Sequence, residues 1–251
     1  AYGRSGHSSQ LYGYASAGVG GTGTPQPGNM SFIDKFSFAT EANNVSVGEL
    51  VRKQYQSAGI SSTNYGYVVN ANKGSDPLIS TDPWTTHKER FSFVSDGNSS
   101  YIGNMARRLQ VNNGSSAGHN SMTNGYTSGG IEERNSPTTG GTATENFFRA
   151  DFIQKFPFAA DDATAEIVGN LSKARGSCKG LSNETHGYIT NTNMYYYQNF
   201  ASNPFNSSMT FNDYSNTIYT IYEIEKFPFA AEVSLGVVSG ITTVKRQNSA
   251  G

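Results

Sequence analysis

The sequence predicts an all-β domain built from about four copies of one repeated unit. Of its 251 residues, 35% are hydrophobic and 15% are charged, whereas glycine alone contributes 28 residues. Glycine and small polar residues disfavour helix interiors, so a helical bundle is not expected. Disordered chains are poor in aromatic residues, but this chain has 15 tyrosines and 15 phenylalanines. An all-β protein with many turns is therefore the fold class that this composition favours.

A Phe-Ser-Phe or Phe-Pro-Phe motif preceded by a basic residue recurs four times. The basic residues that open the copies are Lys35, Arg90, Lys155 and Lys226. In residues 33–38 the two phenylalanines fall on one face of an extended chain, which is typical of a strand with one buried face. Pro157 and Pro228 cannot donate to a ladder, so we expect this strand at a sheet edge or with its proline nitrogen outward.

The rest of each copy follows the same order. An acid comes five residues after the first phenylalanine, at Glu41, Asp96, Asp161 and Glu232. An apolar-glycine element follows at 47–50, 102–105 and 168–171, with a looser version at 237–241. A basic residue and a polar stretch then lead to a Gly-Tyr dipeptide. The aromatic residues that mark the repeat, and that we expect to be structural, are Phe36, Phe38, Phe91, Phe93, Phe156, Phe158, Phe227, Phe229, Tyr14, Tyr67, Tyr126 and Tyr188.

The spacing of the copies predicts a β-propeller. Phe36 and Phe227 are 191 positions apart, which is three repeats of about 64 residues. The chain starts in the middle of one repeat and stops in the middle of another. In residues 57–62 of the second copy, the sequence that ends the chain is followed directly by the sequence that begins it. We therefore expect one blade to be completed from both termini, which leaves no sheet edge exposed. The alternative is an arbitrary cut through a longer array.

This interpretation divides a single repeat domain, 1–251, into five parts. They are a half-repeat at 1–31, repeats at 32–86, 87–151 and 152–222, and a half-repeat at 223–251. Glycine-rich runs at 18–21 and 128–130 are expected to turn the chain between strands. The polar insertions at 131–148 and 191–217 are expected to form loops.

Charge and cysteine content argue against several partners and cofactors. The formal charge is -1, so the basic surplus of a nucleic-acid binder is missing. No apolar run approaches the roughly 20 residues that span a bilayer. One cysteine and four scattered histidines show no metal-ligand spacing, so we expect neither a metal nor a cofactor. The first residues show neither an initiator methionine nor a signal pattern, so we expect a fragment or a processed product.

Three sets of polar residues have both a chemical and a structural interpretation. The four acids recur at equivalent positions, which favours a pairing with neighbouring bases over catalysis or a cation site at the propeller axis. For His119 and His186 we expect packing at strand ends rather than catalysis. Cys178 has the basic neighbours Lys173, Arg175 and Lys179, which can lower a thiol pKa but are explained more simply by a repeated basic element.

Four aromatic residues without counterparts in the other copies are the candidate ligand-binding residues: Trp84, Tyr195, Tyr196 and Tyr197. The three tyrosines lie in the longest insertion, beside Asn and Gln side chains. Aromatic faces with nearby amides suit sugar stacking or a protein contact. The alternative is that they fold the insertion back over its blade.

The third copy resembles a known unit. Its segments IQKFPFAAD (153–161), VGNL (168–171), ARG (174–176) and THGY (185–188) are similar to the IDKFPFA, VGDL, AR and THGYTSGG segments repeated in virion structural proteins of marine and cyanobacterial tailed phages. The unit is more distantly similar to Kelch propeller repeats. That similarity rests on Arg4, His7, Ser8, Tyr14, Gly20 and Gly21, which stand in the Kelch order. Paired glycines are missing from the second and fourth copies, which departs from that pattern.

The resemblance implies a Kelch-like propeller that is a non-enzymatic structural protein of a bacteriophage virion, in the tail, a tail fibre or the capsid. It implies location in the extracellular particle, with other virion proteins and copies of the chain itself as partners. Two alternatives stay open at this point. One is a lectin-like propeller that binds host surface glycans during attachment, and the other is a propeller enzyme such as a glycan hydrolase or a copper oxidase.

Overall fold

The computed structural model confirms the predicted all-β repeat fold, with four antiparallel sheets arranged as a four-bladed β-propeller. The structure describes residues 3–20, 28–40, 42–71, 86–107, 109–110, 116–135, 145–190, 192–195, 218–221, 223–230 and 237–241. Within these ranges no helix is long and apolar enough to cross a bilayer.

Each sheet is a meander of four strands, here numbered along the chain. Sheet 1 contains β1 (Ser5–Ser8), β2 (Tyr12–Ser16), β4 (Gly28–Ser37) and β5 (Val45–Gln54), with the short β3 (Val19–Gly20) beside β4. Sheet 2 contains β6 (Ala58–Ser61), β7 (Tyr65–Val69), β8 (His87–Ser92) and β9 (Ser100–Asn104).

The other two sheets repeat this plan with added strands. In sheet 3 the four strands are β11 (Ala117–Asn120), β12 (Asn124–Ser128), β14 (Glu145–Pro157) and β15 (Glu166–Arg175), and β10 (Leu109–Gln110) and β13 (Ile131–Asn135) join the start of β14. Sheet 4 contains β16 (Lys179–Ser182), β17 (His186–Thr190), β20 (Glu223–Pro228) and β21 (Val237–Ile241), and β18 (Thr192–Tyr195) pairs with β19 (Ile218–Ile221) as a separate hairpin.

The first strands of the sheets, β1, β6, β11 and β16, contact one another in that order. Every sheet is built from strands that follow one another along the chain. The prediction of one blade shared between the two termini is therefore not met among the described strands. Sheet 1 takes its four strands from residues 5–54, so the sheets begin about half a repeat away from the predicted repeat boundaries. A periodic sequence looks the same at any starting point, and only the hydrogen bonding between strands decides where a sheet begins.

The Gly-Tyr dipeptide and the first phenylalanine of each motif face each other across neighbouring strands. Gly13 pairs with Phe36, and the other three sheets repeat the pairing at Gly66 with Phe91, Gly125 with Phe156 and Gly187 with Phe227. In all four sheets a Cβ on the glycine would come closer than 3.0 Å to the phenylalanine ring. The ring lies over the glycine, so no larger residue fits there.

The prolines end their strands, and those strands are not at sheet edges. Pro157 is the last residue of β14, which lies between β12 and β15. The next residue, Phe158, donates its N–H to the Thr123 carbonyl at 2.8 Å, so the Pro157 nitrogen points away from β12. The nitrogen therefore faces the β15 side of the strand, where the pairing of β14 with β15 has already ended at Lys155. The missing N–H therefore leaves no ladder bond unmade, which agrees with the outward nitrogen that we predicted as the second possibility.

The described parts of the two insertions form strands, so the prediction of loops is wrong for these residues. Residues 131–135 form β13, which pairs with residues 145–149 at the start of β14. In the second insertion, residues 192–195 pair with residues 218–221 as the β18–β19 hairpin. The predicted glycine turn is confirmed at Gly129 and Gly130, whose φ angles are +64° and +113°.

Candidate functional site

Consecutive sheets pack through two different faces, which we call the Tyr face and the Phe face. The Tyr face carries the tyrosine of the Gly-Tyr dipeptide, and the Phe face carries the paired phenylalanines of the next sheet. Each tyrosine stacks on the second phenylalanine of that pair. The ring centroids are 4.6 Å apart for Tyr14 and Phe93, 5.2 Å for Tyr67 and Phe158, and 4.6 Å for Tyr126 and Phe229. These three contacts bury most of the repeated aromatic residues.

The third residue of each first strand adds to the Tyr face. His7 meets the edge of Phe91 in sheet 2, with 5.1 Å between the ring centroids, and His119 meets Phe227 of sheet 4 in the same way at 5.0 Å. Ile60 holds the equivalent position in sheet 2 and packs in one buried cluster with Phe156 of sheet 3. In three consecutive sheets, the third residue of the first strand therefore packs against the next sheet.

A glycine in each first strand lets the neighbouring sheets approach closely. A Cβ on Gly59, Gly118 or Gly180 would come closer than 3.0 Å to the carbonyl oxygen of the equivalent glycine in the preceding sheet. None of the three has a positive φ, so the requirement for glycine is one of space. At Gly6 of sheet 1 no atom of the described residues lies within 4 Å of the same Cβ position, and this glycine is exposed.

The recurring acids bridge consecutive sheets wherever the structure describes them. Asp96 of sheet 2 pairs with Lys35 of sheet 1 at 2.9 Å, and Asp161 of sheet 3 pairs with Arg90 of sheet 2 at 2.6 Å. Asp161 also accepts a hydrogen bond from the Tyr67 hydroxyl at 3.0 Å. These contacts confirm the predicted pairing with neighbouring bases, and they place it between sheets. Glu41 and Glu232 lie outside the described residues.

His7 and His119 are held neutral by their surroundings. In each, Nδ1 lies beside a backbone carbonyl of the next sheet, Ile60 at 3.2 Å and Leu181 at 3.1 Å, and Nε2 lies 2.8 Å from a serine hydroxyl. Because a carbonyl only accepts, Nδ1 carries the proton and Nε2 accepts from the serine. Burial lowers the pKa of both histidines to about 4. The predicted packing role of His119 is thus confirmed, and His186 contacts the neighbouring Thr185 hydroxyl through Nδ1 at 2.9 Å.

The Cys178 thiol is not activated by the basic residues around it. It is fully buried, and burial raises its pKa to about 12 although Arg175 and Arg149 act in the opposite direction. Arg175 itself is held by Glu225 of sheet 4, and neither side chain of this ion pair is exposed to solvent. Glu225 also accepts hydrogen bonds from the backbone N–H and the hydroxyl of Ser172. Across the described ranges no three His, Cys, Asp or Glu side chains are grouped as a metal site.

The structure describes only one of the predicted ligand-binding residues. Tyr195 is the last residue of β18 and pairs with Ile218 of β19, so its backbone belongs to the hairpin inserted into sheet 4. Trp84, Tyr196 and Tyr197 lie outside the described residues. The proposed aromatic cluster therefore stays a prediction.

The sequence did not predict that one face of sheet 1 and one face of sheet 4 are exposed. Phe36 and Phe38 of sheet 1 are 41% and 56% exposed, whereas Phe91 and Phe93 of sheet 2 are 2% and 8% exposed. Leu181 of sheet 4, at the position of His119, is 67% exposed. The repeated motif gives no signal for this difference, because Phe36 and Phe38 stand in the same motif as Phe91 and Phe93.

Comparison with known proteins supports the fold and adds no family. The chain matches no family model and no curated protein. Among solved structures it is similar to the one titled "Structure of YjhT", with a TM-score of 0.60 and 11% sequence identity. The alignment covers 96% of this chain and 71% of the other. At this identity the likeness concerns the fold alone.

Proposed function

We propose that the chain is a non-enzymatic structural component of a tailed-phage virion, in the tail, a fibre or the capsid, where it mediates assembly or attachment. The observation that supports this proposal most strongly is the repeated interface, in which aromatic and acidic side chains of each copy join neighbouring sheets. The exposed side chains of Phe36, Phe38 and Leu181 add apolar surface of the kind that another protein covers. The resemblance of the repeat to phage virion proteins supplies the kind of particle.

The use of the reactive residues supports a structural role too. Asp96 and Asp161 hold neighbouring sheets together, His7 and His119 are buried and neutral, and Cys178 has a raised pKa. A group bound in a buried structural contact is not available to a substrate. In the described part of the propeller, these residues therefore pair or pack between neighbouring sheets.

Mass spectrometry of purified particles tests the proposal directly. Particles of the phage that encodes the chain are purified by density gradient, and the chain is quantified against the major capsid protein. We expect a fixed ratio that persists through repeated gradients, while contaminating host proteins decline as the control. Absence of the chain from particles, or its loss in step with the host proteins, would contradict a virion role.

Glycan binding is a second candidate, favoured by one observation. The β18–β19 hairpin is an insertion that pairs with itself rather than extending sheet 4, and it carries Tyr195. Alanine substitution of Trp84, Tyr195, Tyr196 and Tyr197 together is expected to abolish binding on a glycan array and to lower adsorption to host cells. The matched control is Met122→Ala, because Met122 is an exposed apolar residue in another loop. Unchanged binding by the fourfold variant removes this candidate.

A further inference from the structure

We propose that Lys88 is a pH-sensitive switch that controls the attachment of the β14–β15 loop, residues 158–165 of sheet 3, to sheet 2. The loop is held most firmly when the Lys88 side chain has lost its proton, and it opens more readily when the side chain is charged. The proposal is based on the interior of the interface between sheets 2 and 3, and it does not depend on the function proposed above.

Lys88 stands at a position where the other three sheets have isoleucine. It lies three residues before Phe91, and the residues at the same distance from the first phenylalanine of the other motifs are Ile33, Ile153 and Ile224. The Lys88 side chain is as inaccessible as that of Ile33, since both residues are 0% exposed. Lysine is almost never buried to this extent unless an acid pairs with it. Sheet 2 thus carries an amine where the fold otherwise buries an apolar side chain.

The contacts of the Lys88 amine do not supply a counter-charge. Nζ donates a hydrogen bond to the Ala163 carbonyl of the β14–β15 loop at 2.7 Å, and it lies 4.5 Å from the centre of the Phe156 ring. The ammonium form has three N–H groups to satisfy, and the carbonyl takes one of them. Burial of the charged form without an acid in contact is costly. The closed loop therefore favours the neutral amine.

Two acids of the loop act on Lys88 without pairing with it. The Asp161 carboxylate is buried and pairs with Arg90 at 2.6 Å. Asp162 is exposed, so water weakens the effect of its charge. Both acids favour the charged form of Lys88, but desolvation by burial has the larger effect.

The other groups of sheet 2 around Lys88 do not neutralise it either. Its partners on the neighbouring strands are Val69 of β7 and Gly103 of β9, which carry no charge. Glu89, the next residue along β8, accepts a hydrogen bond from the backbone N–H of Val51 in sheet 1 at 2.9 Å. Its carboxylate therefore lies on the opposite face of the strand, away from the loop.

The direction of the switch follows from the pKa of Lys88. Burial lowers this pKa from 10.5 to about 8. Opening of the loop returns the amine to water, so the open state binds more protons than the closed state between these values. The closed state is thus stabilised as the pH rises from 8 to 10.5. Below pH 8 the amine is charged in both states, and the full cost of its burial opposes closure.

The loop covers the outer edge of β9. The Ala165 N–H donates to the Asn104 carbonyl of that strand at 3.0 Å. Close by, a Cβ on Gly103 would come within 2.5 Å of the Asp162 carbonyl oxygen, so the two backbones are in direct contact. An uncovered strand edge presents N–H and C=O groups with which another strand can pair. Opening of the loop at lower pH therefore increases access to the edge of β9.

Hydrogen exchange of residues 100–104 and 158–165 in the full chain, measured by mass spectrometry and corrected for the intrinsic rate at each pH, reports the opening equilibrium. Between pH 7 and 9 the opening constant of the wild type is expected to fall about tenfold, as linkage between the two pKa values requires. His7 and His119 have a pKa of about 4 and stay neutral over this range.

Variants of Lys88 test whether this residue is the cause. Lys88→Ile copies the other sheets and should open less than the wild type at pH 7, with no change up to pH 9. Lys88→Arg stays charged throughout and should also lose the pH dependence, while opening at least as much as the wild type at both pH values. The matched control is Lys53→Ile, which removes an exposed lysine and should keep the tenfold change.

Three results overturn the proposal. They are an opening constant of the wild type that does not change between pH 7 and 9, a tenfold change that persists in Lys88→Ile, and a loss of the change in Lys53→Ile. Carbon NMR of the Lys88 side chain provides a check that needs no variant. Its titration should have a midpoint near pH 8, and a midpoint at the ordinary value of 10.5 overturns the proposal as well. The presence or absence of the chain in phage particles affects none of these results.

Discussion

Phe227 of sheet 4 lies edge-on to His119 of sheet 3, with 5.0 Å between the ring centroids and 86° between the ring planes. The same arrangement joins Phe91 and His7 two sheets earlier. An aromatic edge, a carbonyl and a serine hydroxyl surround each imidazole, and none of them is an anion that would stabilise a proton on it. These two histidines therefore link the packing of the sheets to pH.

Acidification below pH 6.5 is expected to destabilise the protein through His7 and His119. Their pKa is lowered to about 4 in the folded chain and returns to about 6.5 on unfolding, so the unfolded state binds more protons between these values. Stability from this source is complete above pH 6.5 and is lost as the pH falls to 4. The loss is at most about 3 kcal/mol for each histidine. Denaturant unfolding at a series of pH values measures it.

The sequence provides a matched control for this pH effect. In sheet 2, Ile60 stands at the position of His119. On the neighbouring strand of sheet 2, Val69 stands at the position of Ser128. His119→Ile combined with Ser128→Val therefore copies a combination that the chain already uses. The double variant should lose less free energy of unfolding than the wild type between pH 6.5 and 4. An identical pH dependence would show that His119 does not titrate as inferred.

Gly118→Ala is expected to lower the free energy of unfolding by about 1–3 kcal/mol, because its methyl group would overlap the Gly59 carbonyl. Gly6→Ala at the equivalent position of sheet 1 should change it by less than about 0.5 kcal/mol, since no atom in the described part of the chain lies within 4 Å of the new Cβ. Denaturant unfolding of the two variants makes the comparison. Equal effects would mean that the neighbouring sheet does not restrict this position.

Glu225→Ala is expected to cost about 3–5 kcal/mol of stability, because it leaves the Arg175 guanidinium buried without its counter-charge. Replacing both partners by apolar residues, as Arg175→Met with Glu225→Leu, should recover most of the loss. The control is Glu166→Ala, whose ion pair with Lys155 is more exposed and is worth less than about 1 kcal/mol. Thermal and denaturant unfolding measure all three. A double variant as unstable as Glu225→Ala would argue against an unpaired charge as the cause.

Cys178 is expected to be unreactive in the folded protein. Its burial and raised pKa leave almost no accessible thiolate at pH 8. A chromogenic disulfide reagent should detect no thiol in the native chain and one thiol per chain in denaturant. Rapid reaction of the native protein would contradict the buried position and reopen the question of a reactive cysteine.

Much of the local structure could be predicted because it depends on residues close in sequence. The alternation of Phe36 and Phe38 marks a strand, and the four copies predict four similar sheets. The bond between Asp96 and Lys35 was foreseen as a pairing of an acid with a base. That the base belongs to the preceding sheet was not foreseen, because the two residues are 61 positions apart and the spacing does not say which sheets are neighbours.

The sequence by itself determined the all-β class, the number of repeats and the residues that pack them, since a repeated pattern of burial imposes the same local structure on each copy. Only the tertiary structure decided where each sheet begins and which copies of the motif are buried. Hydrogen bonding decides where a sheet begins, because β1 pairs with β2 from the same end of the chain. Packing decides which copies are buried, because Phe36 and Phe91 stand in the same motif and only Phe91 lies against a neighbouring sheet.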